Sequence, residues 1–264
     1  MEIKVVSLHS YPVKSCKGTD HNELELLQTG FRNDRRWMLV DSVGRFMSQR
    51  RNPTMALIMA SVEGNLLTLR SMNMPEITVA GGSGRTNVLI HRTTCVVADM
   101  GDDVAFWLEA ALGVPCRLVS MALGEKRVVS KEYALSNDDE IQFQDAFPIH
   151  LISEASLVDL NTRLISPVPM SRFRCNIIIK GCGPYEEDRW KVIKIGELVL
   201  HVAKPCGRCV MTSIDQNTGE KVSNPPLATL AKYRNHKNEV IFGQYLIHER
   251  EGALSVGDSV EIIS

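Results

Sequence analysis

No apolar run in this chain approaches the roughly 20 residues that a helix needs to cross a bilayer. The opening "MEIKVVSLHS" has neither the apolar core of a secretory signal nor the Arg/Ser-rich character of a transit peptide. The formal net charge is only −1, so no global field recruits nucleic acid or an anionic membrane, and neither is expected as a partner. Cysteine is sparse and odd in number: seven thiols, at 16, 95, 116, 175, 182, 206 and 209, in 264 residues. That argues against a disulfide framework and for free thiols in a reducing compartment, so a cytoplasmic location is expected. Internal repeats and low-complexity tracts are absent. The seven histidines show no metal-like spacing, and His9, His91, His150 and His201 read as packed residues of strands.

Hydrophobic residues make up 44% and charged residues 23%, the profile of a globular protein with a sizeable core. The first half is rich in short β signals. "RWMLVDSVGRFMSQR" reads as strand, turn and strand, with Asp41 to Gly44 supplying the turn. "NLLTLRS", "EITVAG" and "TNVLIHRTTCVVADMG" continue the pattern, with "GGSG" at 81–84 as a turn or loop. "GDDVAFWLEAALG" predicts a helix capped by Asp102 or Asp103 and ended by Gly113. From about 118 the chain turns polar and irregular. Ser153 then caps a second helix with Leu157, Leu160 and Leu164 on one face. "CNIIIKG" reads as a buried strand, "WKVIKIGELVLHVAKPC" as a hairpin turning near Gly196, and "PPLATLAKY" as a short helix. "GALSVGDSVEIIS" closes as two strands joined at Gly257-Asp258. The fold expected is α+β and β-dominated, since strands and helices do not alternate regularly.

Chemistry concentrates in "KPCGRCVMTSIDQNTGE", Lys204 to Glu220. A thioredoxin-type pair needs a helix after its cysteines, and the β-branched, turn-like run after Cys209 predicts none. A structural zinc site needs a second tight Cys or His pair, and Cys175 with Cys182 is a poor match. Two incidental buried cysteines remain open, as does a thiol at a strand end with Lys204 and Arg208 beside it, suited to a soft metal or an electrophile. Three other stretches offer cationic or polar groups. "YPVKSCKG" carries Lys14 and Ser15 after the first strand, and "FRNDRRWML" sends Arg35 and Arg36 into a strand. "RFRCN" places Arg174 and Asn176 on one face of a buried strand. A buried arginine needs a carboxylate or an anionic ligand. Met72 and Met74 read as packing or loop residues.

In order, "YPVKSCKG", "DRRWMLVD", "SEASLVDLN", "FRCNIII", "EEDRWKVIKIG", "KPCGRCVMTSIDQNTG", "FGQYL" and "VGDSVEI" resemble MOSC-domain proteins that carry the MOSC N-terminal β-barrel domain. These are the YcbX-type proteins and the mitochondrial amidoxime-reducing component. The resemblance covers nearly the whole chain. It implies a MOSC β-barrel core at 121–264, an additional N-terminal β-rich domain at 1–120 whose residues 1–36 pack with the core, and a few short helices. It implies a molybdenum cofactor, Mo-molybdopterin, with Cys209 as metal ligand and catalytic centre. The implied cofactor contacts are Lys14, Ser15, Arg35, Arg174, Asn176, Cys206, Gly207 and Arg208. The activity implied is reduction of amidoximes, hydroxylamines and N-hydroxylated base analogues to their N–H forms, a detoxification chemistry. Asp215 and Arg208 stand near enough in sequence to move protons or orient substrate. Cofactor or sulfur delivery through the same Cys209 is the alternative. Pyridoxal phosphate binding is a further family-level association. Where some relatives have a hydroxyl pair, this chain has Ala146 and Phe147. No ferredoxin-type domain follows the last MOSC strand before Ser264, so a separate flavin reductase or ferredoxin-type donor is expected.

Overall fold

The computed structural model describes residues 2–91, 93–222 and 226–264. Its central element is a sheet in which Lys4–Ser10, Ile177–Lys180, Ile149–Ser153, Glu239–His248, Leu198–Gly207, Val192–Ile195 and Val260–Ile262 follow one another in hydrogen-bonded order. Thr19–His21 flanks the first of these, and Asn235–His236 pairs with Glu239–His248. The path closes on itself. Lys4 bridges Ser259, Val260 N–H donates to the Ile3 carbonyl at 2.8 Å, and Val5 N–H donates to the Asp258 carbonyl at 2.9 Å. Closure removes the exposed edges that an open sheet would leave.

The barrel interior follows from alternation. Ile149 and Leu151, Ile177 and Ile179, Ile193 and Ile195, and Leu198 and Leu200 point inward with Leu246 and Val260, each almost fully buried. Each such side chain contributes about 1.5–3 kcal/mol of burial free energy. Outward-facing Ile152 and Ile178 pack instead with Leu160 of the Glu154–Thr162 helix and with Phe173 and Phe242. Ser153 caps that helix by accepting from Ser156 N–H at 3.1 Å. Glu239–His248 comes close to its neighbour at Gly243, where φ is +80° and a Cβ would stand 2.5 Å from Ile152 and 2.6 Å from His150. Only glycine fits there.

The rest of the first half forms a second β-rich layer. Trp37–Val40, Arg117–Met121, Thr93–Asp99 and Ser83–Ile90 make one antiparallel sheet, and Met59–Glu63, Leu66–Arg70 and Ile77–Val79 make a meander. The Asp102–Leu112 helix buries Val104, Trp107 and Leu108 between them. Before residue 36 the chain serves both parts: Lys4–Ser10 is a barrel strand and Glu23–Leu27 pairs with Gly252–Ser255, while Val13 and Cys16 pack in the core of the second layer. The chain is strand-dominated, with a β-barrel and three short helices among the described residues.

Several local readings change. The polar region from 118 begins inside a strand, Arg117–Met121. Both faces of that sheet are covered, Leu118 packing with one core and Val119 with another, so no apolar/polar alternation is visible. Gly84 lies within Ser83–Ile90 rather than in a loop. Gly101, not Asp102 or Asp103, occupies the helix N-cap, and Asp102 Oδ1 instead accepts from Arg117 at 2.9 Å. The two closing strands stand as expected, Gly252–Ser255 and Val260–Ile262 joined through Gly257-Asp258, and they pair with Glu23–Leu27 and Val192–Ile195. Arg35 and Arg174 are outside strands altogether: Trp37–Val40 starts after one and Ile177–Lys180 after the other. Met170–Phe173 and Val210–Ser213 are single 3₁₀ turns, so a turn does follow Cys209, though only four residues long. His91 sits at a hairpin tip rather than in a strand; the third helix is described over Pro226–Leu230, and Pro225, with which the sequence reading opened it, lies outside the described residues.

Candidate functional site

Loops from both halves converge on one cleft with about 810 Å³ of space, open to solvent. The segment after the first barrel strand supplies Lys14 and Ser15, the turn before Trp37 supplies Arg35, and the Phe46–Arg50 segment a third wall. The barrel supplies His150 and Tyr245 from strands, Arg172, Arg174 and Asn176 from the 3₁₀ turn and its exit, and Gly207, Arg208 and Cys209 from the strand end. Sequence reasoning placed nine residues together, and eight of them line this cleft. Cys206 stands one layer behind. It is 1% exposed, and its Sγ accepts a hydrogen bond from Arg208 Nη1 at 2.9 Å.

The backbone is bent to make this convergence. Ser15, Arg35 and Arg174 have φ of +67°, +49° and +53°, a left-handed conformation that side-chain-bearing residues seldom adopt. At Arg35 and Arg174 it turns the chain so that both guanidiniums lie over the buried Tyr11 ring, 4.2 and 4.3 Å from its centroid. Tyr11 O–H donates to the Cys175 carbonyl at 3.0 Å, fixing the ring.

The cations differ in how well they are satisfied. Arg35 Nη1 donates to both carboxylate oxygens of buried Asp34, at 2.6 and 2.7 Å, and its Nη2 donates to the Arg174 carbonyl at 3.0 Å. Lys14 donates to Asp145 at 2.5 Å and to the Phe143 carbonyl at 2.6 Å, while burial pulls its ammonium below the ordinary lysine value. Arg172 Nη2 donates to Asp215 at 2.7 Å, but among the described residues its buried Nε and Nη1 have no partner, and the same holds for Arg174 Nη2 and Arg208 Nε. Arg174 Nη1 donates to the Cys16 carbonyl at 2.6 Å, and Nη2 has none. Arg208 Nη2 donates to the Phe173 carbonyl at 2.7 Å, and Nε has none. Burial lowers the Arg174 guanidinium to about 10. Four orphan guanidinium nitrogens therefore gather at one cleft. Each leaves about 1–3 kcal/mol of desolvation unreturned until an acceptor arrives.

Cys209 is half-buried at the head of the Val210–Ser213 turn, and Arg50 faces its sulfur. Desolvation opposes the Arg50 charge, but the contact with Cys209 outweighs it and raises its pKa. His150 lines the floor. Burial first, then the nearby charges of Arg208 and Arg35, hold it well below the ordinary imidazole value, so it stays neutral. Asn176 reaches the cleft with its amide already engaged, Oδ1 accepting from His150 N–H at 3.2 Å and Nδ2 donating to the His9 carbonyl at 3.1 Å. Phe147, at the hydroxyl-pair position, fills its place by stacking on Tyr245 at 5.0 Å between centroids. Asp215 acts behind the wall, holding Arg172 and the turn at Asn217 and Thr218.

Sequence reasoning missed Arg50, Arg172, His150 and Tyr245. Arg172 stands two residues before Arg174 and shared its signal; the others carry none, since their role depends on distant segments. All seven cysteines are free, and among the described residues no three His, Cys, Asp or Glu side chains gather as a zinc shell would require. Nor is any described helix long and apolar enough to cross a membrane.

The MOSC domain family matches residues 138–261 and the MOSC N-terminal beta barrel domain matches 2–115. Mitochondrial amidoxime-reducing component 1 of Mus musculus is 34% identical over 278 residues, spanning 98% of this chain and 82% of that protein. Mitochondrial amidoxime reducing component 2 of Rattus norvegicus is 36% identical over 271 residues, spanning 95% and 80%. Among solved structures, the YUAD protein from Bacillus subtilis spans 99% of this chain at 10% identity with a TM-score of 0.44, a likeness too low to bear on function. With both domain families matched in order and relatives a third identical along almost its entire length, this chain belongs to the MOSC-domain family that contains the amidoxime-reducing components.

Proposed function

We propose that the chain is a molybdenum-cofactor-dependent oxidoreductase that reduces N-hydroxylated compounds to their N–H forms. The observation that carries this reading is the set of four orphan guanidinium nitrogens beside a single half-buried thiol. A phosphate-bearing pterin with a soft metal needs both, anion acceptors and one thiolate. Cys209 would hold the metal, with Arg172, Arg174 and Arg208 on the anionic groups and Lys14, Ser15 and Arg35 completing the cradle. Asn176 positions that cradle more than it binds, because its amide already ties His150 to His9.

When bound, the cofactor supplies the two electrons and accepts the oxygen atom of the substrate. The net change is R–NH–OH plus two electrons and two protons to R–NH₂ plus water. This chain's residues orient the substrate and set the local charge. Arg50 and Arg208 both place positive charge near Cys209, and neutral His150 offers a polar surface without adding charge. Electrons come from a separate donor protein, in keeping with the word "component" in the relatives' names.

The test is protein expressed in a molybdopterin-competent host, analysed for metals and assayed with benzamidoxime and a chemical reductant. Stoichiometric molybdenum and formation of benzamidine are expected. Tight cofactor without turnover would favour delivery, and stoichiometric zinc without molybdenum would sink both readings.

A further inference from the structure

The cleft does not end at its third wall. Phe46, Ser48 and Arg50 face a second groove on their other side, with about 1100 Å³ of space. Arg45 and Arg51 join Arg50 there, and among the described residues no carboxylate lies within ion-pair distance of any of the three. The one carboxylate lining the groove, Asp41, has an oxygen engaged by the backbone, accepting from Val43 N–H at 3.1 Å and Arg45 N–H at 2.8 Å. The segment bearing the arginines is anchored. Phe46 N–H donates to the Leu89 carbonyl, Met47 N–H to Leu39, and Arg51 and Asn52 N–H to Ser48, at 2.8–3.1 Å. At the junction of the two spaces Phe46 and His91 pack with their rings tilted by 58°, 4.6 Å between centroids.

Resting on the reductase reading above, we propose that this groove is the outer half of the substrate site and recognises an anionic arm, a phosphate monoester or a carboxylate, on aromatic or heteroaromatic N-hydroxylated compounds. The substrate ring lies against Phe46, its N–OH reaches inward toward Cys209, and its anion meets Arg45 and Arg51. The anchored backbone fixes where the three arginines stand, and a guanidinium fork matches either oxyanion. An acidic protein surface is a poorer occupant, since the groove is concave and runs into the cleft. A small molecule can occupy both spaces at once. The preferred substrates are thus nucleotide-like or carboxylated, and the neutral amidoxime is a truncated case.

Two substrate pairs test this: N4-hydroxycytidine against its 5′-monophosphate, and benzamidoxime against 4-carboxybenzamidoxime. For the wild type, kcat/KM should be about five- to tenfold higher for the anionic member, mainly through KM, and 0.5 M NaCl should erase the difference. In Arg45→Ala/Arg51→Ala the advantage should vanish while neutral substrates keep rates within twofold. A gain for the phosphate pair alone would restrict the arm to phosphate monoesters. Equal handling of both members by the wild type overturns the inference, as does equal loss of both by the variant. So does a variant that slows turnover only with a protein reductant, which would make the groove a donor-docking face. Equilibrium binding of the same four compounds separates the two readings. Tighter binding of the anionic members, lost in the variant, would uphold the groove even if no compound is turned over.

Discussion

The two cysteines of the Cys-x-x-Cys segment should fail in opposite ways when replaced. Cys206 is sealed behind the cleft, and its sulfur is the acceptor for Arg208 Nη1 at 2.9 Å. Arg208 Nε already lacks a partner. Cys206→Ala therefore strands a second N–H of one buried guanidinium, at about 1–3 kcal/mol, and opens a sulfur-sized void worth about 1 kcal/mol. The sum is about 2–4 kcal/mol. For a chain of this length each kcal/mol moves Tm by about 2–4 °C, so a fall of about 9 °C is expected, midway in both ranges. Cys209→Ala removes a half-buried sulfur that faces Arg50 and nothing in the core, so its Tm should drop less than about 3 °C. Metal content should show the reverse order. Cys209→Ala should carry background molybdenum and no benzamidoxime turnover, while Cys206→Ala retains a measurable share of both. Thermal melts of metal-free protein, with metal analysis of holo preparations, read the two effects separately. Equal molybdenum loss would mean a true dicysteine site. An unchanged Tm for Cys206→Ala would refute the stranded-donor reasoning.

Three further outcomes follow from the same geometry. His150 is held well below the ordinary imidazole value in the folded protein, so unfolding takes up a proton below about pH 6.5. Stability is then full above that pH and falls as pH drops toward the folded value, by up to about 1.4 kcal/mol per unit. Burial moves His21 and His248 the same way, so His150→Gln should flatten the slope of urea stability between pH 5.0 and 6.5 without abolishing it; an unaltered slope contradicts the assignment. Gly243→Ala should cost about 3 kcal/mol or more in urea unfolding, because φ is +80° and the new Cβ meets Ile152, His150 and the Leu151 carbonyl at 2.5–2.7 Å. A cost under 1 kcal/mol would show that the strand can move aside. Inorganic phosphate at a hundredfold excess over its Kd should stabilise metal-free protein by about 2.7 kcal/mol relative to chloride at equal ionic strength. Arg172→Met/Arg174→Met should lose that gain, and its absence in the wild type would refute the anion cradle.

Much of the barrel was legible because its strands bury one face. "VIKIGELVL" presents isoleucines and leucines at alternate positions that the structure puts inside, while "IHLIS" and "CNIIIK" read as apolar runs because Ile152 and Ile178 are buried on the outer face as well. The four-stranded sheet was less legible. Trp37 to Val40 and Leu118-Val119 are covered on both faces, so the period of two disappears and only an apolar run inside polar flanks remains. The cleft was legible only where short ordered motifs marked it. Those motifs carry cations into or beside strands, which is why Lys14, Arg35, Arg174 and Arg208 stood out; the structure pairs Lys14 with Asp145 and Arg35 with Asp34 and leaves the other two without a carboxylate partner among the described residues. Arg50 is an exposed arginine in a loop and His150 one residue of an apolar strand. Neither is distinguishable until the fold brings Phe46–Arg50 against Cys209. The left-handed turns at Ser15, Arg35 and Arg174 had no sequence signal either, because none is at glycine or asparagine.

The charge distribution gives those strained turns a physical purpose. The chain is nearly neutral, yet Lys14, Arg35, Arg50, Arg172, Arg174 and Arg208 share one cleft, and among the described residues their ion-pair partners are Asp145 in its lining and Asp34 and Asp215 behind it. Strain of about 1–3 kcal/mol at each left-handed residue and repulsion among the guanidiniums are both costs to the empty fold. They persist because the surrounding contacts over-determine them: Asp34 buried under Arg35, Tyr11 beneath two guanidiniums, and Gln49 Nε2 donating to the Ser15 carbonyl at 2.7 Å. Such a cleft binds an anion without rearranging, since its donors are already aimed and already desolvated. The fold therefore gives up stability when empty in exchange for a preformed anion site. The same preorganisation explains why its donors come from both halves of the chain. With Lys4–Ser10 locked into the barrel and Trp37–Val40 into the second sheet, the segment between them cannot shift either wall alone.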